Sequence, residues 1–224
     1  MPTDALVNVN GESVQALEIL FLTTVLMLLP SLIVMMTSFT RYVVVFSFLR
    51  NAMGTQQTPP NMVLVGMALI LTLFTMSPTL AAINEEAFVP YQEEEISQEE
   101  FFDRAQVPLK RFMAHHIELQ SMELYCNMSG VNAPATEEEV PQLPLTVIIP
   151  AFVTSELKQA FILGFLLYIP FMLIDMVVAS TLMSMGMVML PPSMISTPFK
   201  LLLFILLDGW QLLFETLARG FGLG

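Results

Sequence analysis

Two sets of residues in this 224-residue chain have types and spacings that could do chemistry. The first is a run of thioethers. Met183, Met185, Met187 and Met189 recur at every second position in the stretch 183–200, MSMGMVMLPPSMISTPFK. A two-residue period does not fit one face of an α-helix, where alternate residues swing about 200° apart. Gly186 lies among the methionines, and Pro191, Pro192 and Pro198 withhold amide donors. The stretch therefore reads as an irregular turn between two apolar segments. It displays flexible, polarizable side chains that can close a gap and re-form after something passes. Composition alone favours the plainer reading, a Met-rich loop packed against its neighbours.

The second set is five charges set in apolar surroundings: Glu156, Lys158, Asp175, Lys200 and Asp208. A charge at the centre of a bilayer costs roughly 2.5–3.5 kcal/mol on insertion scales. Either these groups pair, or their segments end in a protein assembly instead of hydrocarbon. Glu156 is expected to pair with Lys200, between neighbouring copies of the chain. Glu156 and Lys158 stand two apart and so point in different directions. Asp175 and Asp208 offer an alternative, the carboxylate relay of a proton-coupled small-solute transporter. The two halves of the chain share no internal similarity, which speaks against that alternative. His115 and His116 are adjacent and lack an H-E-x-x-H setting, so they read as structural or surface residues. Cys126 is the single cysteine, which excludes an intrachain disulfide. With no nucleophile–base pair, metal motif or glycine-rich phosphate loop, neither catalysis nor a cofactor is expected.

The elements that must position these residues are strongly apolar. Hydrophobic residues make up 55% of the chain and charged ones 12%, where ordinary soluble domains carry about 25%. Residues 19–40, 51–84 and 176–199 hold no charge, and runs beyond roughly 18 apolar residues mark membrane-span candidates. The fold class expected is all-α, of membrane-protein type: hydrophobic helical hairpins with proline-broken helices and a small helical acidic insertion. The divisions are a loose N-terminus (1–12), a first hairpin (13–83), the acidic insertion (84–144) and a second hairpin carrying the Met-rich turn (145–224). Residues 1–13 hold no base and no apolar core, so they do not read as a signal peptide.

Within this frame the first helix runs over about 14–37, kinked at Pro30. Arg41 and Arg50 then sit in a connection that the positive-inside tendency places in the cytoplasm. A second helix spans about 61–83, broken near Pro78. The insertion carries thirteen acids against Arg104, Lys110 and Arg111, or −10 of the chain's net −12. Such a surface excludes nucleic acid, which demands a basic patch, and suits the outer face of a membrane. Inside it, Ser97 and Glu100 form a capping box, Pro108 opens a further helix, and the sequence up to Gly130 supplies a stop. Pro150 and Pro170 divide the next apolar run into shorter helices. The last helix covers about 198–219 with Asp208 in its middle.

Four stretches carry a resemblance: MMTSFTRYVVVFSFLRNAMGTQQTPPN (35–61), PAFVTSELKQAFILGFLLYIPFMLIDMVVAS (150–180), MGMVMLPPSMI (185–195) and PFKLLLFILLDGW (198–210). In this order, with the acidic insertion between the first and second, the chain resembles the FliP family of flagellar export-gate proteins, called SctR in the injectisome branch of type III secretion. The resemblance implies a channel-forming subunit in the bacterial inner membrane at the flagellar basal body, with residues 84–144 periplasmic. It implies several copies, a pentamer, assembled with FliQ and FliR around a path for unfolded flagellar proteins. It further implies that Met187, Val188 and Met189, beside Met185, form a gasket ring around the closed channel. Val188 departs from the all-methionine form and is stiffer at χ1. The same resemblance makes Glu156 and Lys200 protein–protein contacts and lifts much of the chain above the bilayer.

Overall fold

The computed structural model describes residues 7–9, 12–14, 20, 23–24, 27–28, 31, 34–187 and 189–222. The fold is overwhelmingly helical, as the composition predicts. Its departure is a small antiparallel pair, β1 (Val7–Val9) and β2 (Glu12–Val14), aligned Val7 to Val14. It lies where the sequence predicts loose chain. The helix expected over 14–37 falls largely outside the described residues, although 20, 23–24, 27–28, 31 and 34–35 are helical.

The helix at the centre of the fold is α1 (Phe39–Met53), drawn from the segment expected to be a cytoplasmic connection. Its buried residues are Arg41, Tyr42, Val45, Phe46, Leu49, Ala52 and Met53. These spacings of one, three and four trace a single helical face. That face meets Leu64 and Ala68 of α2 (Asn61–Ile83), Ala160 and Phe171 of α6 (Leu145–Ser184), and Leu213 and Leu217 of α8 (Gly209–Arg219) in one core. Gly54, in the left-handed conformation at φ 75°, ends α1, which glycine adopts without a Cβ penalty.

The apolar helices are longer than their prolines suggest. Pro78 lies inside α2, and the helical path does not stop at Ile83. It runs on through a π turn (Asn84–Phe88) into the one-turn α3 (Val89–Gln92). Pro150 and Pro170 likewise lie inside α6, a single helix of 40 residues. Each proline removes one backbone hydrogen bond, but breaking the helix in apolar surroundings would strand many more polar groups, so the helix continues. Among the described residues, two helical stretches, Asn61–Gln92 and Leu145–Ser184, are long and apolar enough to cross a membrane. A third candidate is the pair α7 (Pro192–Leu206) and α8, bent by 64°. The expected continuous last helix is thus two helices. Asp208 sits at their bend in the left-handed region (φ 48°, ψ 46°), a conformation aspartate tolerates better than most residues. Gly209 follows because a Cβ there would lie 2.3 Å from the Phe204 ring.

The acidic insertion folds as α4 (Gln98–His116), α5 (Leu119–Ser129) and a 3-10 turn (Glu137–Gln142). The capping box forms as read: the Glu100 amide donates to Ser97 Oγ at 3.3 Å, and the Ser97 amide donates to Glu100 Oε2 at 3.0 Å. Pro108 does not open a second helix but lies within α4. Gly130, at φ 67°, ends α5. Met113, Met122, Cys126 and Val140 pack with Val147, Ile148 and Phe152 of α6 in a second core. The insertion is therefore seated on the N-terminal third of α6.

Candidate functional site: a methionine turn between charge clusters

The Met-rich segment is shorter than its sequence signature. Met183 closes the last turn of α6, and Pro191 and Pro192 open α7, the latter at the helix position where a missing amide costs least. Between them the chain leaves α6 by two paired bonds. The Met187 amide donates to Leu182 O at 3.0 Å, and the Gly186 amide donates to Met183 O at 3.1 Å. Gly186 stands at φ 76°. This double closure with a left-handed glycine is the Schellman ending, in which the residue after the glycine packs back on the last helical turn. Met187 is accordingly 36% exposed, while Met185 is 67% and Met189 98% exposed. Val188 lies outside the described residues. The turn thus has a fixed base at Met187 and a free tip at Met189.

Charges stand on both sides of this turn. On α6, Asp175 Oδ2 accepts from Lys200 Nζ of α7 at 2.6 Å, and Asp175 Oδ1 accepts from Ser196 Oγ at 2.6 Å. Lys200 Nζ also donates to Ala52 O at 3.1 Å, capping the C-terminal end of α1, where the helix dipole favours a cation. Lys200 and Ser196 are buried, and Asp175 is half-buried.

A second cluster lies further down α6. Arg41 Nε and Nη2 donate to Glu156 Oε2 and Oε1 at 2.8 and 2.5 Å, a two-pronged pair that suits the planar guanidinium. Arg41 Nη1 donates to Gly220 O at 3.1 Å, and its guanidinium carbon stands 3.8 Å from the centre of the Phe221 ring. Tyr42, Phe112 and His116 surround that ring at 5.4, 6.1 and 4.9 Å between centroids. The C-terminal end of α8 is therefore held between α1, α4 and α6.

Glu156 and Lys200, expected to pair between copies, do not pair with each other within one chain. Each has an intrachain partner: Arg41 for Glu156, Asp175 for Lys200. Of the five charges read as buried, Glu156 and Lys200 are so. Lys158 is exposed because it reaches outward to Glu118 Oε2 at 2.5 Å, and Asp208 is exposed at the bend. Asp175 and Asp208 have separate settings: Asp175 is occupied by Lys200 and Ser196, while Asp208 shapes the join of α7 and α8. Sequence reading missed Arg41 and Phe221. The signal for Arg41 was its place on the apolar face that Tyr42, Val45, Phe46 and Leu49 continue.

In the insertion, Gln159 Nε2 also donates to Glu118 Oε1 at 2.9 Å. The Lys158 hydrogen bond leads in holding the Glu118 carboxyl below its usual range, against a smaller opposing effect of burial. Burial pushes the His116 imidazole below its usual value, opposed by its hydrogen bond to Phe112 O and deepened by the nearby Arg41 cation. His115 contacts Glu137 at 2.9 Å. Among the described residues no group of three or more His, Cys, Asp or Glu side chains converges as a metal site.

The model of the FliP family matches residues 22–217. The chain is 48% identical over 204 residues to the flagellar biosynthetic protein FliP of Bacillus subtilis strain 168, covering 91% of each chain. Its identity to that of Aquifex aeolicus strain VF5 is 48% over 212 residues, covering 95% of this chain and 88% of the relative. With that of Pectobacterium carotovorum it is 46% over 219 residues, covering 98% and 84%. A match this long, spanning the methionine turn and both charge clusters, assigns the chain: it belongs to the FliP family.

Proposed function

We propose that this protein is a core, channel-forming subunit of the flagellar type III export gate, with no catalysis of its own. Copies of the chain, five on this reading, surround a central path with FliQ and FliR, in the bacterial inner membrane. Unfolded flagellar proteins pass along the path, and the acidic insertion faces the periplasm. Met187 and Met189, with Met185 and Val188 beside them, close the path between passages. The relatives' shared name, flagellar biosynthetic protein, supports the setting.

The observation that carries the pore reading is the tip of the turn. A methionine 98% exposed at the end of a rigid, Schellman-closed base leaves a large apolar side chain without a partner in its own chain. Copies gathered around an axis would give it one, since thioethers pack adaptably against each other. A deformable seal suits cargo of varying side chains better than a rigid one.

The test is proximity between copies. A Met189→Cys chain, assembled with its partner subunits in membranes, is treated with a short thiol crosslinker. Dimers and higher ladders are expected. Met62→Cys, on an outward position of α2 that is 86% exposed, serves as the control and should stay monomeric. Crosslinking at Met62 but not at Met189 contradicts the reading.

A further inference from the structure

We propose that Asp175 is a positioning residue for the methionine turn: by holding Ser196 and Lys200 together it fixes α7 against α6 and so sets where Met189, the free tip of the turn, stands relative to Met187. The importance of that placement rests on the proposed constriction, although the latch itself is a property of the single chain.

Beside the turn, the arms are separated by a groove. There the inner faces of α6 and α7 stand apart, whereas Phe204, further along α7, packs on the core that Phe171 of α6 shares. Leu173, Val177 and Thr181 of one arm and Ile195 and Phe199 of the other line an open apolar groove of about 630 Å³. A gap of this size forfeits much of the packing attraction that would otherwise hold two helices. Met183, Met185 and Met189 are exposed, so the turn makes few contacts of its own. Among the described residues, the side-chain hydrogen bonds that bridge α6 and α7 are the two accepted by Asp175.

Those two bonds use both carboxylate oxygens, each at 2.6 Å. One is made by a buried hydroxyl and the other by a buried ammonium that also donates to Ala52 O. The latch thereby refers α7 to α1, the most enclosed of the described helices. Thr197, between Ser196 and Lys200, lies beside the turn after α1: a Cβ on Gly54 would lie 3.2 Å from Thr197 Oγ1. A carboxylate is required at 175. An amide offers one acceptor and one donor, so it satisfies either Ser196 or Lys200 and turns an N–H toward the other.

The test measures the separation of the arms. Spin labels at Ser180→Cys and Ser193→Cys, both exposed positions on opposite arms, are read by pulsed electron paramagnetic resonance in the full-length chain in detergent. Cys126 is buried and stays unlabelled. The latched chain is expected to give one narrow distance distribution. Asp175→Asn should lose the narrow component and add longer distances, and Asp175→Glu should restore part of it. Ser196→Ala, which removes one bond and keeps the charge pair, should broaden the distribution less; it remains informative if Asp175→Asn fails to fold. Narrow, unshifted distributions in the folded variants overturn the latch and leave the constriction reading intact. Broadened distributions, in gates whose conductance ignores Met187 and Met189, retain the latch and remove the constriction.

Discussion

Arg41 and Glu156 lie 115 positions apart and meet through two hydrogen bonds of 2.8 and 2.5 Å, both side chains buried. The same guanidinium holds Gly220 O and stacks on Phe221. One side chain of α1 thus ties the start of α6 to the end of the chain. Removing one member of a buried pair leaves the other charge without compensation, which costs about 3–5 kcal/mol. Arg41→Ala is therefore expected to destabilise the folded chain by that order, measured by denaturant unfolding in detergent. Arg41→Lys should rescue only part of it, since an ammonium lacks the fork that spans both oxygens. The double variant Arg41→Met with Glu156→Leu should be milder than Arg41→Ala alone.

The close approach of α6 to α1 hinges on Gly164. A Cβ there would lie 2.5 Å from the Phe48 ring and 3.0 Å from its Cβ, too near the backbone for the ring to swing clear. Gly164→Ala should destabilise by about 1–3 kcal/mol, the usual cost of overpacking, despite alanine's better helix propensity. Gly66→Ala, where nothing lies within 4 Å, serves as the control and should be neutral or slightly stabilising. The pair is compared by thermal melting of helical circular dichroism.

Stability should fall in two stages as pH drops. His116 is held below its ordinary value by burial against Phe221, with Arg41, His115 and Glu137 the charges facing it. The unfolded chain then binds that proton first, so the contribution is complete above about pH 6.5 and declines below it. Glu118 is held below its ordinary value by Lys158, so its contribution is complete above about pH 4.3 and is lost as pH falls toward its folded value. His116→Phe should flatten the upper stage and Glu118→Gln the lower one in melting temperatures taken across the range. An unchanged upper stage in His116→Phe would assign it to another group.

What the sequence made legible was local. Ser97 and Glu100 announce a helix start three residues apart, and Gly130 announces a stop, because caps are made by near neighbours. The methionine period marked a turn for the same reason, although α6 and α7 trim it to a few residues. The misreadings came from long-range terms. Pro78, Pro150 and Pro170 were expected to break helices, but the apolar setting holds each helix together around the lost bond. The charge of Arg41 alone suits a cytoplasmic connection, whereas its helical face puts it in the core beside Glu156. Within the chain Lys200 meets Asp175 because α6 and α7 form a hairpin, a geometry that the spacing of 175 and 200 does not reveal.

The central claim, that the methionine turn seals a path through an assembly, meets its most direct test in ion conductance. Gates containing Met187→Ala and Met189→Ala together, reconstituted with their partner subunits in planar bilayers, are compared with the unaltered gate. Shortening both thioethers should open a persistent leak while helix content and subunit recovery stay unchanged. Conductance equal to that of the unaltered gate, with assembly intact, would contradict the account.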